Sequence, residues 1–321
     1  MLNNAEVKSP AIPRTLKNPG SGVMKRIRDN WQLYLLLLVP VLYVIIFHYV
    51  PMYGLIIAFK NYSVVKGVLG SKWVGLVHFE RFFHSYDFWL VLKNTLQLSL
   101  FNLLVGFPAP ILLALCINYL PGRRFRNVLQ MTTYAPHFIS VVVIVGIIVQ
   151  LLSREGLVND IITALGGQPV NFLGTPGYFK SIYVLSGVWQ QAGWGSIIYL
   201  AALAGIDPQL HEAATIDGAS KVRRIWHIDL PGILPTIVIL LILDVGRIMN
   251  IGFQKVLLLQ NPLTVQASEV IDTYVYKVGI ISGMPNFSYA AAIGLFKSII
   301  GFILIITVNR IAKKVNETSL W

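Results

Sequence analysis

Six stretches of this 321-residue chain are predominantly apolar over about 20 residues or more, the length a helix needs to cross a bilayer. They lie at 33–59, 92–119, 128–152, 181–204, 233–257 and 289–311. Hydrocarbon offers a backbone no partners, so each run has to bond within itself as a helix. The pattern predicts an all-α membrane protein with six transmembrane helices. Composition agrees, with 55% of residues hydrophobic and 12% charged, far from the balance of a soluble domain.

The net charge of +12 could suit nucleic acid, but its placement points to a membrane instead. Lys25, Arg26 and Arg28 precede the first span, and Arg123, Arg124 and Arg126 follow the second. Lys221, Arg223 and Arg224 follow the fourth, and Arg310, Lys313 and Lys314 close the sixth. With six spans all four clusters share one face, which the positive-inside rule makes cytoplasmic, with both termini inside. The first external loop is a partial exception, setting Lys60, Lys66, Lys72, Arg81 and Lys93 against Glu80 and Asp87. The first apolar run is too long for a cleaved signal peptide and lacks a small-residue cleavage site, so it stays as a span. The tail up to Gly22 is rich in Pro, Asn and Ser, a composition that predicts disorder. Short helices are expected outside the membrane: one along its surface in the first external loop, one in GLVNDIITALGG, and one around 270–278.

Several chemistries are excluded. Cys116 is alone, so neither an internal disulfide nor a cysteine metal cluster can form. The six histidines are scattered without ligand spacing. No GxxxxGK followed by Ser or Thr occurs, so the chain cannot hydrolyse ATP through a P-loop. No cofactor is expected in this chain.

Between the fourth and fifth spans stands DPQLHEAATIDGASKVRRIWHIDLPGILP, residues 207–235. Asp207 before Pro208 is a helix start, because the carboxylate can cap free N–H groups and proline fits the first turn. Leu210, Ala213, Ala214 and Asp217 recur at helical spacing, and Gly218 can take the left-handed conformation that ends a helix. A second, basic helix follows from Ala219 to Ile228 and runs into Leu230 and Pro231. The segment is a short helix, a tight turn and a return helix with a narrow, alanine-lined face.

These residues resemble the EAA loop of ABC importer permeases, the coupling element that docks in a groove of the ATPase. Glu212, Ala213, Ala214, Asp217, Gly218, Ala219, Ile228, Leu230, Pro231 and Pro235 stand at that family's spacing. A narrower resemblance runs through PMYGLIIAFKNY, GLVHFERFF, FWLVLKNT, QNPLTVQASEVIDTYVYKVGI and AAIGLFKS, which are similar to polysaccharide-type permeases (LplB- or YteP-like) of the carbohydrate importer class. At the position of Gln254 that family more often has Glu. The resemblance implies the type I ABC importer fold, like that of the maltose permeases, with cytoplasmic coupling helices. Its domain organisation would be a cytoplasmic tail at 1–30, a permease domain at 31–312 with its coupling loop at 207–235, and a cytoplasmic tail at 313–321. It also implies four kinds of partner: a second homologous permease, a pair of cytosolic ATPases holding ATP and Mg, an extracellular solute-binding protein often anchored as a lipoprotein, and the oligosaccharide itself. In the coupling loop, Glu212 and Asp217 would orient or cap the hairpin, while Ala213, Ala214 and Ala219 let its backbone sit close in the groove.

Polar residues inside spans are costly in hydrocarbon and mark positions facing protein or water. Asp244 and Arg247 stand three residues apart in the fifth span, so they can pair with each other, and Lys297 at a similar depth in the sixth offers Asp244 another partner. Two readings stand: a structural ion pair, or a polar wall of the sugar path. In the fourth span, Trp189, Gln190, Gln191 and Trp194 put aromatic planes beside amides, a combination suited both to sugars and to helix contacts. Asn250 and Gln254 continue a polar stripe above Arg247 at spacings of three and four. Tyr274 and Tyr276, with Asp272, would anchor the interface or meet the incoming sugar.

The expected function is inward movement of an oligosaccharide by alternating access across the plasma membrane, powered by the separate ATPase, with no catalysis in this chain. A complex polysaccharide fragment is the substrate the narrower resemblance implies, for instance rhamnogalacturonan- or uronate-derived, and Arg247 and Lys297 would suit an acidic sugar. The alternatives are an ion-coupled secondary transporter, which needs no such hairpin, and a polytopic membrane enzyme, which would want a cluster of His, Asp or Glu at one membrane face.

Overall fold

The computed structural model describes residues 27–316. The predicted disordered tail up to Gly22 and the last residues of the C-terminal tail lie outside the described residues. The chain divides into two compact units, one up to Leu55 and one from Ile56 onward. In the first, helix α1 (Trp31–Val44) passes into a π turn over Ile45–Tyr49 and a last turn, Val50–Tyr53, with no buried residue in any of the three. Pro51 has no N–H for the carbonyl four residues back, and the π turn just before it carries Val50 N–H to Ile45 O instead.

The second unit is helical apart from a small antiparallel hairpin that pairs Lys60–Asn61 with Lys72–Trp73. The surface helix expected in the first external loop is Val77–Phe83, and GLVNDIITALGG forms Leu157–Ala164. Helix α2 (Tyr86–Gly106) meets α3 (Pro108–Asn118) at Phe107, just ahead of Pro108. Together they run 33 residues, about 50 Å at 1.5 Å per residue.

The third window is not one helix. Gly122 opens helix α4 (Arg123–Tyr134) at φ +82°, a 3₁₀ turn follows over Ala135–Phe138, and Ile139 is extended before α5 (Val141–Leu152) begins. Pro136 cannot continue the ladder of α4, and Ser140 restarts a helix by accepting from Val143 N–H at 3.4 Å. The apolar run from Val128 therefore joined two helices that the structure separates.

Helix α6 (Phe179–Ala204) contains the fourth window in one 26-residue rod and packs against α2, α3 and α4. Its upper half gives Phe179, Tyr183 and Val184 to a cluster with Leu98, Ile144 and Val256. Its lower half gives Tyr199 and Leu203 to a cluster with Ile111, Leu115 and Ile233. Helices α7 (Pro208–Ile216) and α8 (Lys221–Arg224) lead through a π turn, Ile225–Asp229, into α9 (Leu230–Gly246). This π turn again lies two residues before a proline, Pro231, with Leu230 N–H on Ile225 O.

The fifth window also ends early. Helix α9 stops at Gly246 and the chain is irregular until α10 (Phe253–Leu259). A Cβ on Gly246 would lie 2.7 Å from Ile305 Cδ1, so α9 reaches closest to the last span where its ladder ends. Ser99 of α2 donates to the freed carbonyl of Ile248. Helix α11 (Ile271–Tyr276) and a π turn, Lys277–Ile281, precede α12 (Phe287–Asn316). Five described stretches are long and apolar enough to cross a membrane: Trp31–Phe59, Tyr86–Asn118, Val141–Ala164, Lys221–Gly246 and Phe287–Lys314. Helix α6 has the length but breaks its apolar run with Ser186, Gln190, Gln191 and its glycines.

The tightest helix contact is at Gly193, where a Cβ would lie 2.0 Å from the carbonyl oxygen of Thr133 on α4. Gly193→Ala should force α4 off α6 and destabilise the protein by about 1–3 kcal/mol, as overpacking does. Gly146→Ala, where nothing lies within 4 Å, should not destabilise it. Thermal unfolding of the purified variants in one detergent checks the contrast, and equal midpoints would contradict this packing.

Candidate functional site

Two regions carry the polar residues singled out above. The first is the hairpin of α7 and α8. Asp207 caps α7 by accepting from Gln209 N–H at 3.0 Å, and Gly218 ends it at φ +72°, with Ala219 N–H donating to Ala214 O at 2.8 Å. Ser220 caps α8, accepting from Arg223 N–H at 3.3 Å. Glu212 and Asp217 perform no capping: both are exposed and make no side-chain hydrogen bond among the described residues. Ala213 is exposed and Ala214 and Ala219 are half-buried, so the small face is open at the elbow. Leu230 is half-buried and Pro231 exposed at the start of α9.

What fastens the hairpin is a group absent from the sequence reading. Asp229, at the end of the π turn, is fully buried. Tyr119, just past α3, donates to its Oδ2 at 2.6 Å, and His211 of α7 places Nε2 3.3 Å from its Oδ1. The Arg224 guanidinium lies over the Tyr119 ring, 5.8 Å from its centre, and donates to Thr215 Oγ1 of α7 at 2.9 Å. Burial, then the hydrogen bond to Asp229, pushes the Tyr119 phenol up to about 12, so it stays a donor. Helix α7 thereby meets Asp229 at the start of α9 and Arg224 of α8, and Tyr119 links the same carboxylate to the end of α3. The signal in the sequence is one acid inside IDLP, beside an apolar run.

The second region is a cavity of about 500 Å3, within the range of small-molecule sites. Gln190, Gln191 and Trp194 line it from α6, Asp244 from α9, and Arg247 and Asn250 from the segment after α9. Ser99 and Asn102 of α2 and Lys255 of α10 complete its polar wall. Trp189, half exposed, and Gln254, also exposed, stand outside it. The stripe 247–250–254 needs an unbroken helix, which the end at Gly246 removes, and Asn250 reaches the cavity from irregular chain instead.

Other expectations change as well. Asp244 forms no ion pair within 4.0 Å among the described residues, and Lys297 pairs with Asp272 of α11 rather than with Asp244. Gln190 is buried and donates to Ile139 O at 3.2 Å, so it holds α6 to the break between α4 and α5. Gln191 bonds His137 Nδ1 at 2.9 Å, and the His137 ring stacks on Trp194 with centres 4.6 Å apart and planes 2° apart. One Trp194 face is thus covered, and 43% of the residue stays exposed. Tyr274 joins a cluster with Phe82 and Tyr289, and the ring of Tyr276 meets Phe253. Among the described residues no group of His, Cys, Asp or Glu could hold a metal ion.

Comparison with known proteins places this geometry in context. Residues 106–317 match the family described as binding-protein-dependent transport system inner membrane component. The chain is 43% identical to the polygalacturonan/rhamnogalacturonan transport system permease protein YteP of Bacillus subtilis (strain 168), over 100% of both chains. It is 44% identical to Protein LplB of the same strain, over 92% of each. A chain in the crystal structure of a bacterial ABC transporter involved in the import of the acidic polysaccharide alginate superposes with a TM-score of 0.85 at 38% identity, covering 92% of this chain and 100% of that one.

Removing the Asp229 carboxylate should loosen the hairpin. Asp229→Ala is expected to cost about 1–3 kcal/mol, because it removes the acceptor of Tyr119 and the carboxylate that His211 faces. Tyr119→Phe leaves the buried carboxylate without a hydrogen bond and should also cost about 1–3 kcal/mol. Thermal unfolding read alongside protease cleavage at 207–224 tests this. Wild-type protection in Asp229→Ala would contradict the fastening.

Proposed function

The chain belongs to the binding-protein-dependent transport system inner membrane components, and on that premise we propose that it carries an acidic, pectin-derived oligosaccharide inward as one permease of an ABC importer. The partners of this reading are a second homologous permease, a cytosolic ATPase pair that holds ATP and Mg, and an extracellular solute-binding protein. Six spans would place both termini and the 207–235 hairpin in the cytoplasm of a cell whose plasma membrane holds the complex. This chain performs no covalent step.

One observation supports the mechanism most. Both helices of the hairpin are N-capped and its elbow is open, while His211 of α7 lies against Asp229 at the start of α9, whose carboxylate Tyr119 holds to the end of α3. A push on α7 is therefore delivered to α9, whose far end places Asp244 and Arg247 on the cavity wall. ATP binding closes the ATPase dimer and shifts the hairpin, the path between the two permeases opens outward, and hydrolysis resets it. Trp194, Gln191, Arg247 and Asn250 would meet the sugar, while Gln190 serves packing. The acidic substrate class rests on similarity to a polygalacturonan/rhamnogalacturonan permease and to an alginate importer. An ion-coupled carrier or a membrane enzyme would leave the capped hairpin without a purpose.

The assembled complex in liposomes tests this directly. Uptake of oligogalacturonate should require internal or external ATP on the ATPase face and the binding protein on the other. Ala213→Trp should insert normally but lower uptake at least about tenfold, a coupling loss of about 1.4 kcal/mol. Unimpaired uptake by that variant would contradict docking of this face.

A further inference from the structure

Lys255 is 7% exposed and carries an ammonium group on the wall of the cavity. Its Nζ donates one hydrogen bond, to Tyr183 O at 3.1 Å, and lies 5.0 Å from the centre of the Tyr183 ring. Among the described residues no carboxylate pairs with it. A buried charge left without a counter-ion is costly, and natural proteins compensate it with a partner or a ligand. The cavity's other charges do not offset it: Arg247 adds a second cation, and Asp244 is the single carboxylate on the wall.

The approach to Nζ is clear. Gly187 of α6 lies directly beneath, where even a Cβ would stand 3.5 Å from Nζ, and Asn102 Oδ1 comes within 4.0 Å of the same point. The glycine keeps that surface flat, so a sugar ring can slide along α6 and present a carboxylate to the ammonium. Helix α10 holds the lysine rigidly, with Val256 and Leu259 on either side of the turn packed in the core cluster of α6. A neutral sugar could offer only hydroxyls, which cannot balance the charge.

We infer that Lys255 is the carboxylate-binding residue of the cavity and selects uronate-containing oligosaccharides over neutral ones. This rests on reading the cavity as the oligosaccharide path. A purely structural Lys255, pinning α10 to Tyr183, would care about length and packing rather than about the charge of the substrate.

The test uses the whole importer, both permeases with ATPase and binding protein, reconstituted in liposomes and loaded with trigalacturonate. Lys255→Gln and Lys255→Met should assemble in normal yield and import at no more than about one-tenth of the wild-type rate, while Lys255→Arg, which keeps the charge in a different shape, should retain clearly more than either. Should the neutral variants fail to assemble, Asn102→Asp supplies the test in a native core, because a fixed carboxylate on the same cavity wall should compete with the substrate's for Nζ and depress uptake similarly. Near-normal import by Lys255→Gln, by Lys255→Met or by Asn102→Asp overturns the inference, as does Lys255→Arg performing no better than Lys255→Gln. A wild-type complex that imports only neutral oligosaccharides contradicts the acidic-sugar reading itself. One that imports trigalacturonate regardless of position 255 contradicts the role of Lys255 alone.

Discussion

A backbone inside a membrane must find every hydrogen bond within the protein, so it can leave helical geometry only where other protein groups or water take over. Two breaks beside candidate spans of the second unit show such replacement, and the same cavity is lined by Val141 just past the first and by Arg247, Asn250 and Gly252 in the second. Between α4 and α5, the break at Pro136–Ser140 is covered by Gln190 on Ile139 O and by His137 against Trp194. After α9, the break from Arg247 to Gly252 is covered by Ser99 on Ile248 O and exposes Arg247 and Asn250 to the cavity. Two of the polar groups that relieve the broken ladders, Gln190 and Ser99, stand on the wall of the cavity beside Gln191, Arg247 and Asn250.

The same economy governs the hairpin. Pro231 interrupts the ladder where the hairpin returns to the membrane, and the π turn it accompanies carries Asp229 inward to meet Tyr119 and His211. Under the proposed function, an elbow held against its neighbouring spans would transmit a push that a flexible one would dissipate, with Ala213 exposed on a face of low bulk and the buried acid behind it as its mounting.

Membrane-crossing helices were legible from apolar length, because a lipid-facing run admits no other backbone. The ends of those helices were not. Val128 to Leu152 reads as one span by hydropathy, since Pro136 is a single residue in a long apolar run, and only Ser140 marks the restart. Gly246 looks like an ordinary helix glycine until Ile305 is seen to press against it. That early end explains the miss at the cavity: with an unbroken helix Gln254 faces the path, and with the break the facing residue becomes Lys255, one position on. Gln191, Trp194, Asp244, Arg247 and Asn250 were legible because polar groups in a span require company. Asp229 was hidden, because nothing in the sequence shows that Tyr119 lies opposite it, and Lys297 pairs with Asp272 rather than Asp244, because depth along a helix says nothing of which neighbour lies opposite. The capping of the hairpin was readable at Asp207 and Gly218, where local chemistry decides the outcome.

The central claim is that the cavity bounded by the two helix interruptions is the sugar's route through this subunit. Its most direct test is a structure of the assembled importer trapped outward-open with oligogalacturonate bound. The account predicts sugar rings against Trp194, with polar contacts from Arg247 and Asn250. Sugar occupying a path that touches none of these residues, with the cavity closed off by the second permease, would contradict it.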